Sequence, residues 1–202
     1  MALTKITNKS ISGALVSTNM PTGSVLQTVF QQDETGLTLN GATATRFMNL
    51  PITTKAANST FLVRFSAAIY GIQDNTTQHD KDICAAIGYK IGTASTTATD
   101  HTAITTYDPT RERITFANSE HRAFYSHDAY AHGNAYGKFI PLVELYNEDT
   151  FAPSQAAGTV INVAVFFQQD DSGATYYNIG DSVSGEADSG KVSTLTVMEI
   201  KA

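Results

Sequence analysis

From residue 25 onward, apolar and polar positions alternate with a period of two, as strands with one buried face require. Phe61, Val63, Phe65, Ala67 and Ile69 fall in one phase, and Leu62, Arg64, Ser66, Ala68 and Tyr70 in the other. This spacing predicts a half-buried strand. Ile83, Ala85, Ile87, Tyr89 and Ile91 repeat the scheme against Cys84, Ala86, Gly88 and Lys90. Around Ile161, Val163, Val165 and Phe167 the opposite phase, Asn162, Ala164 and Phe166, is largely apolar too, which predicts a central strand covered on both faces. Fainter alternation marks residues 25–32, 36–50, 113–116, 138–146, 175–179 and 192–200. Pro141 has no N–H to give a ladder, so its segment is expected at an edge or a bulge.

The punctuation between these segments is of two kinds. Asp33 to Gly36, Asn40-Gly41 and Asp170 to Gly173 carry residues that tolerate positive φ and predict hairpin turns. Residues 93–110 and 119–137 are polar and too long for hairpins, so they are expected to be functional or intersubunit loops. About nine short strands with no intervening helices predict an all-β fold, an antiparallel β-sandwich that is jelly-roll-like. Residues 1–24 lack sustained periodicity and end in the turn-like Asn19-Met20-Pro21-Thr22-Gly23. They are expected to form an extended N-terminal anchoring arm, with the sandwich over residues 25–202.

Composition narrows the function classes. Charged residues are 16% of the 202 residues, below the roughly 25% usual for globular chains. A net charge of −6 offers no positive field for a phosphate backbone, so nucleic acid is not expected as a partner. No run approaches the ~18 apolar residues of a spanning helix, and the first residues lack the apolar core of about 7–15 residues of a secretory signal. No membrane insertion is expected, and Asn8, Asn58 and Asn75 are not expected to carry glycans. The single Cys84 cannot close an intramolecular disulfide, which suits folding in a reducing cytoplasm; among Ile83, Ala85 and Ala86 it reads as a small buried hydrophobe.

Candidate chemistry is sparse. Gly185-Glu186-Ala187-Asp188-Ser189-Gly190-Lys191 nearly matches a phosphate-binding loop, but Val192 stands where a magnesium-holding Ser or Thr belongs and a strand pattern follows instead of a helix. It reads as a solvated loop. His79, Asp80, Lys81 and Asp82 could supply an acid/base pair, yet no nucleophile accompanies them, and a charged turn before Ile83 explains them. His121, His127, Asp128 and His132 are competent metal ligands within a dozen residues. Neither a helix nor a strand places His127 and His132, five apart, on one face. Packing of imidazole and aromatic rings is the reading preferred here, and no cofactor or metal is expected. Phe124, Tyr125, Tyr130 and Tyr136 form a candidate interaction surface, with Tyr176 and Tyr177 beside them in kind, because aromatic rings bring large contact area at little entropic cost. Ordinary core and rim packing is an equal alternative for these rings.

Three segments together carry a resemblance. They are Met1-Ala2-Leu3-Thr4-Lys5-Ile6-Thr7 with the stretch from Met20 to Val29, the strand from Ser59 to Phe65, and the ending from Ser193 to Ile200. In order and spacing they resemble structural proteins of marine and cyanobacterial tailed bacteriophages, of the tail-fibre or head-associated kind. The resemblance implies a jelly-roll-like domain on the outside of the virion and a homotrimer; the His-rich residues 120–137 have no counterpart in its pattern. It leads to the expectation of a non-enzymatic virion protein, assembled in the host bacterial cytoplasm and bound to capsid or tail proteins. A host-recognition module binding cell-surface glycans through aromatic loops is the alternative expectation. An envelope depolymerase would need active residues that the sequence does not single out.

Overall fold

The computed structural model describes residues 19–33, 38–40, 43–69, 72–73, 83–104, 114–117, 120–121, 124–126, 138–139, 143–169, 175–177 and 192–202. They contain the strands β1 (Val25–Asp33), β2 (Thr38–Asn40), β3 (Thr45–Thr53), β4 (Thr60–Ile69), β5 (Ile72–Gln73), β6 (Ile83–Ile91), β7 (Thr102–Ala103) and β8 (Ile114–Thr115). The second half adds β9 (Glu120–His121), β10 (Phe124–Ser126), β11 (Lys138–Phe139), β12 (Val143–Phe151), β13 (Val160–Gln169), β14 (Thr175–Tyr177) and β15 (Ser193–Ile200). A single 3-10 turn, Ala98–Asp100, follows β6.

Two antiparallel sheets make a β-sandwich, as the alternation predicts. The first has the order β1-β15-β4-β12; the second has β10-β6-β13-β3, with β7 also on β6. The small ladders β2/β14, β5/β11 and β8/β9 stand apart from them. Taking the eight sheet-ordering strands β1, β3, β4, β6, β10, β12, β13 and β15 in chain order, the first lies beside the last, the second beside the seventh, the third beside the sixth and the fourth beside the fifth. The chain therefore pairs with itself in nested fashion, and partners in β1 and β15 are about as far apart in sequence as the domain allows.

Among the described residues, the strands that flank the three expected hairpin turns do not pair with one another. β1 pairs with β15 instead of β2, β2 pairs with β14, and β13 pairs with β3 and β6 instead of β14. The physical reason is burial: β13 carries large apolar side chains that must meet the sandwich interior, Val29 of β1 packs against the same core, and distant strands offer the matching face. Residues 36–50 and 138–146, each read as one strand, are divided between β2 and β3 and between β11 and β12. β12 is an edge strand of its sheet, and Pro141, which precedes it, lies outside the described residues.

The interior is built from both sheets. Met48, Leu50 and Ile52 of β3, Phe61, Val63 and Phe65 of β4, Ile87 of β6, Ile161, Val163, Val165 and Phe167 of β13, and Leu195 and Val197 of β15 form one buried cluster. Each fully buried Leu, Ile, Val or Phe stabilises the fold by about 1.5–3 kcal/mol before chain entropy is counted. A bulge in the β13–β3 ladder between Val165 and Phe166 skips Phe47. Phe47 thereby joins the core beside Met48, edge-on to Phe167 at 5.4 Å and to Phe65 at 6.3 Å between ring centroids.

One end of the sandwich is tied together by hydrogen bonds. The connections β3–β4 and β12–β13 cross between the sheets there and interlock. Thr54 is buried; its Oγ1 donates to the carbonyl of Ala156 at 2.7 Å and accepts from the N–H of Thr159 at 2.9 Å. Gly158 turns this corner at φ 85°, a conformation glycine adopts without strain, and donates to the carbonyl of Thr54 at 2.8 Å. Residues 19–24, within the segment expected to be an arm, are fastened at the same end: Gly23 donates to the carbonyl of Lys201 at 2.8 Å, and Lys201 to that of Ser24 at 2.9 Å. Residues 1–18 lie outside the described residues.

Candidate interaction face

The two sheets differ on their outer sides. The outer face of the second sheet is covered by its own chain: Ala98 of the 3-10 turn, Ile114 of β8 and Phe116 pack with Ala86 of β6 and Ala164 and Phe166 of β13 as a second buried cluster. Small residues on β6 make the trough that receives this cover. A Cβ built on Gly88 would lie 2.5 Å from Cε1 of Phe116 and 3.0 Å from Cβ of His101, so the strand must be bare at that position. Part of the 93–110 stretch expected to be a contact loop therefore serves as packing.

The outer face of the first sheet bears no such layer among the described residues. Alternation along β15 buries Ser193, Leu195, Val197 and Glu199 and turns Thr194, Thr196, Met198 and Ile200 outward, half-buried. The register across the sheet aligns Gln32, Thr194, Ser66 and Tyr146 in one row and Phe30, Thr196, Arg64 and Glu148 in the next. Two aromatic rings stand on this face in solvent, Phe30 at 65% and Tyr146 at 62% exposure. Exposed aromatic side chains on a regular sheet are the feature that calls for a functional account, since scattered aliphatics do not.

Between the rings lies a small polar network. The Tyr146 hydroxyl donates to Oε2 of Glu148 at 2.9 Å, and Nε of Arg64, the cross-strand partner of Glu148, donates to the same oxygen. The hydrogen bond from Tyr146, then that from Arg64, holds the Glu148 carboxyl below its ordinary 4.5. The same bond raises the Tyr146 hydroxyl above its ordinary 10.0, because it favours the protonated phenol. The pair neutralises itself, so the face presents hydroxyls, amides and rings with little net charge. Such a surface can stack against flat apolar faces and exchange hydrogen bonds around them.

Of the residues singled out from sequence, those that are described lie on other ladders. Phe124 and Tyr125 are on β10, opposite Ala85 and Cys84 of β6, and His121 is on β9 opposite Ile114. Tyr176 and Tyr177 are on β14, opposite Leu39 and Thr38 of β2. His127, Asp128, Tyr130, His132 and Tyr136 lie outside the described residues, as do residues 79–82 and 185–191. Among the described residues no three His, Cys, Asp or Glu side chains come together as a metal site, and no helix is long and apolar enough to cross a membrane. Phe30 and Tyr146 were legible only as members of strands; their one signal was a large ring in the polar phase of an alternating segment.

A buried carboxylate also went unanticipated. Glu199, fully buried, sits where β15 meets the crossing connection from β3 to β4. Its Oε1 accepts from the N–H groups of Lys55 at 2.8 Å and Ala56 at 3.0 Å and from Oγ of Ser59 at 2.7 Å. Its Oε2 accepts from Lys55 N–H at 2.9 Å and from Nε2 of Gln27 at 2.6 Å. Consecutive backbone N–H groups aimed at one anion make a nest, and here the anion is supplied from within the chain. Glu199 is thus a structural clasp. Neither protein-family models nor curated proteins give a match to the chain.

Proposed function

We propose that this chain is a non-enzymatic structural component of the exterior of a bacteriophage particle, a jelly-roll domain acting as a decoration, spike or fibre element. The observation that carries the reading is the nested pairing of the eight sheet-ordering strands, first with last and inward to fourth with fifth. That order is what a long hairpin rolled into two sheets produces, and it supports the jelly-roll assignment. Jelly rolls serve capsids and lectins alike. Fold alone does not assign a role, so the three-part resemblance supplies the particle and the fold supplies its shape. Partners in this reading are capsid or tail proteins and two further copies of the chain, with residues 1–18 as the anchor. The test is deletion of residues 1–18, which leaves the Gly23–Lys201 bond intact. A folded domain that no longer joins particles supports the anchor; undiminished incorporation rejects it.

A second reading, recognition of host-surface glycans, is favoured by the uncovered face bearing Phe30 and Tyr146. It moves the platform from aromatic loops to the sheet. Adsorption of the purified protein to host cells, lost in Tyr146→Ala, supports this reading; no adsorption by the unaltered protein rejects it.

A further inference from the structure

Among the described residues His101 is one of three side chains, with Asn49 and Ser193, that bury a polar atom without a hydrogen-bond partner. Its side chain is fully buried, packed edge-on against Phe166 with ring centroids 4.9 Å apart. Nδ1 lies 2.9 Å from the carbonyl of Thr97, a distance at which it donates its hydrogen. Nε2 is buried and has no hydrogen-bond partner among the described residues. The arrangement fits one species only, the neutral imidazole with its proton on Nδ1, because a second N–H would find no acceptor. The Phe166 ring could return only part of the hydration lost by a buried cation.

His101 also occupies the centre of the cover on the second sheet. Its carbonyl accepts from the N–H of Ala117 at 2.8 Å, and three residues on, Ile104 donates to the carbonyl of Ile87 on β6 at 2.9 Å. Its Cβ lies 3.0 Å from where a Cβ on Gly88 would be. The cover is thin, held by few apolar side chains, and a local opening there need not disturb the main core.

We propose that His101 is an acid-sensitive latch, whose uncharged imidazole holds residues 95–104 and 114–117 on the second sheet and whose protonation releases them, baring Ala86, Gly88, Ala164 and Phe166. The charges facing the ring do not rescue the cation. Lys90 of β6 and Arg46 of β3 oppose it, while Asp100, on the cover itself, favours it. Asp100 is engaged by Oγ of Ser95 at 2.6 Å and lies 3.9 Å from Nζ of Lys90. Burial is the leading cause that lowers the ring below its ordinary 6.5, ahead of the Thr97 hydrogen bond that raises it. A folded-state value below the unfolded one means that the cover's stability is complete above 6.5 and declines as pH falls from there through the folded-state value.

The test is amide hydrogen exchange on the intact chain, corrected for intrinsic rates, at about pH 7.5 and about pH 5. Protection of the Ile104 and Ala117 amides should fall at least tenfold on acidification while that of Val163 in β13 holds. His101→Phe should make the cover's protection independent of pH. Equal protection at both pH values overturns the latch, as does acid loss that persists in the variant. Should His101→Phe not fold, titration of the His101 ring by NMR in the unaltered protein decides: a value below 6.5, reached in step with cover opening, supports it, and one at or above 6.5 overturns it.

Discussion

The carboxylate of Glu199 receives the backbone N–H of Lys55 on both of its oxygens, at 2.8 and 2.9 Å, across 144 residues of sequence. This contact joins the last strand of the first sheet to the connection that carries the chain over from the second. Removing it takes the carboxylate away from the part-buried N–H groups of Lys55 and Ala56, while the Ser59 hydroxyl keeps the carbonyl of Ala56 at 3.2 Å. Each N–H orphaned in this way costs about 1–3 kcal/mol. Glu199→Ala should therefore destabilise the fold by about 3 kcal/mol or more, and urea titration should show a lower midpoint. Glu199→Gln, which keeps one acceptor oxygen, should be milder.

Gly88→Ala should loosen the cover on the second sheet. Its methyl group would fall 2.5 Å from the Phe116 ring, and that ring is wedged against Phe166 at 5.8 Å between centroids. Overpacking of this kind costs about 1–3 kcal/mol. Trimming the neighbour as well, in Gly88→Ala with Phe116→Leu, should recover part of the loss. Thermal melting of the two single variants and the double variant measures the coupling.

How much of this was legible in the chain depends on the range over which each feature is decided. Phe61, Val63 and Phe65 declare their strand within five residues, and Ile161 to Phe167 declare even a central position, because burial on one or two faces is written in the local pattern. Pairing is decided at long range. Asp33, Glu34, Thr35 and Gly36 make a plausible hairpin turn, yet β1 finds its partner at the other end of the chain, where Leu195 and Val197 complete the same core. Glu199 reads locally as a solvent-facing charge beside Met198 and Ile200; the donors that permit its burial come from Lys55, Ala56 and Ser59. His101 sits among Thr and Ala residues that give no hint of a cover, and the small Gly88 beneath it is interpretable only once Phe116 is known to arrive there.

On the open face, Tyr146→Phe should return Glu148 toward its ordinary 4.5, since the hydroxyl is the first cause of its lowered value. Both side chains are exposed, so the substitution should leave the denaturation midpoint within error. For Glu148 the sign is that of a depressed carboxyl: whatever its pairing contributes is present above 4.5 and lost as pH falls through the folded-state value. NMR titration of the Glu148 carboxyl in the two proteins checks both statements.

Thr54→Val should weaken the interlock of the two crossing connections. The change removes a donor to Ala156 and an acceptor for Thr159 at a buried position while conserving shape. Two hydrogen bonds are lost, and the Thr159 N–H keeps only its longer bond to the carbonyl of Ala156 at 3.3 Å, for about 1–3 kcal/mol in total. Hydrogen exchange at the Thr159 amide, faster in the variant while that of Val197 is unchanged, would locate the effect.

We have proposed that this rolled two-sheet domain serves a bacteriophage particle as architecture. That role is tested most directly by cryo-electron microscopy of purified, infectious particles from the producing host, with mass spectrometry of the same preparation. The account predicts the chain among the particle proteins, with density on the exterior that accepts the sandwich. Particles that are infectious and complete without this chain would contradict it.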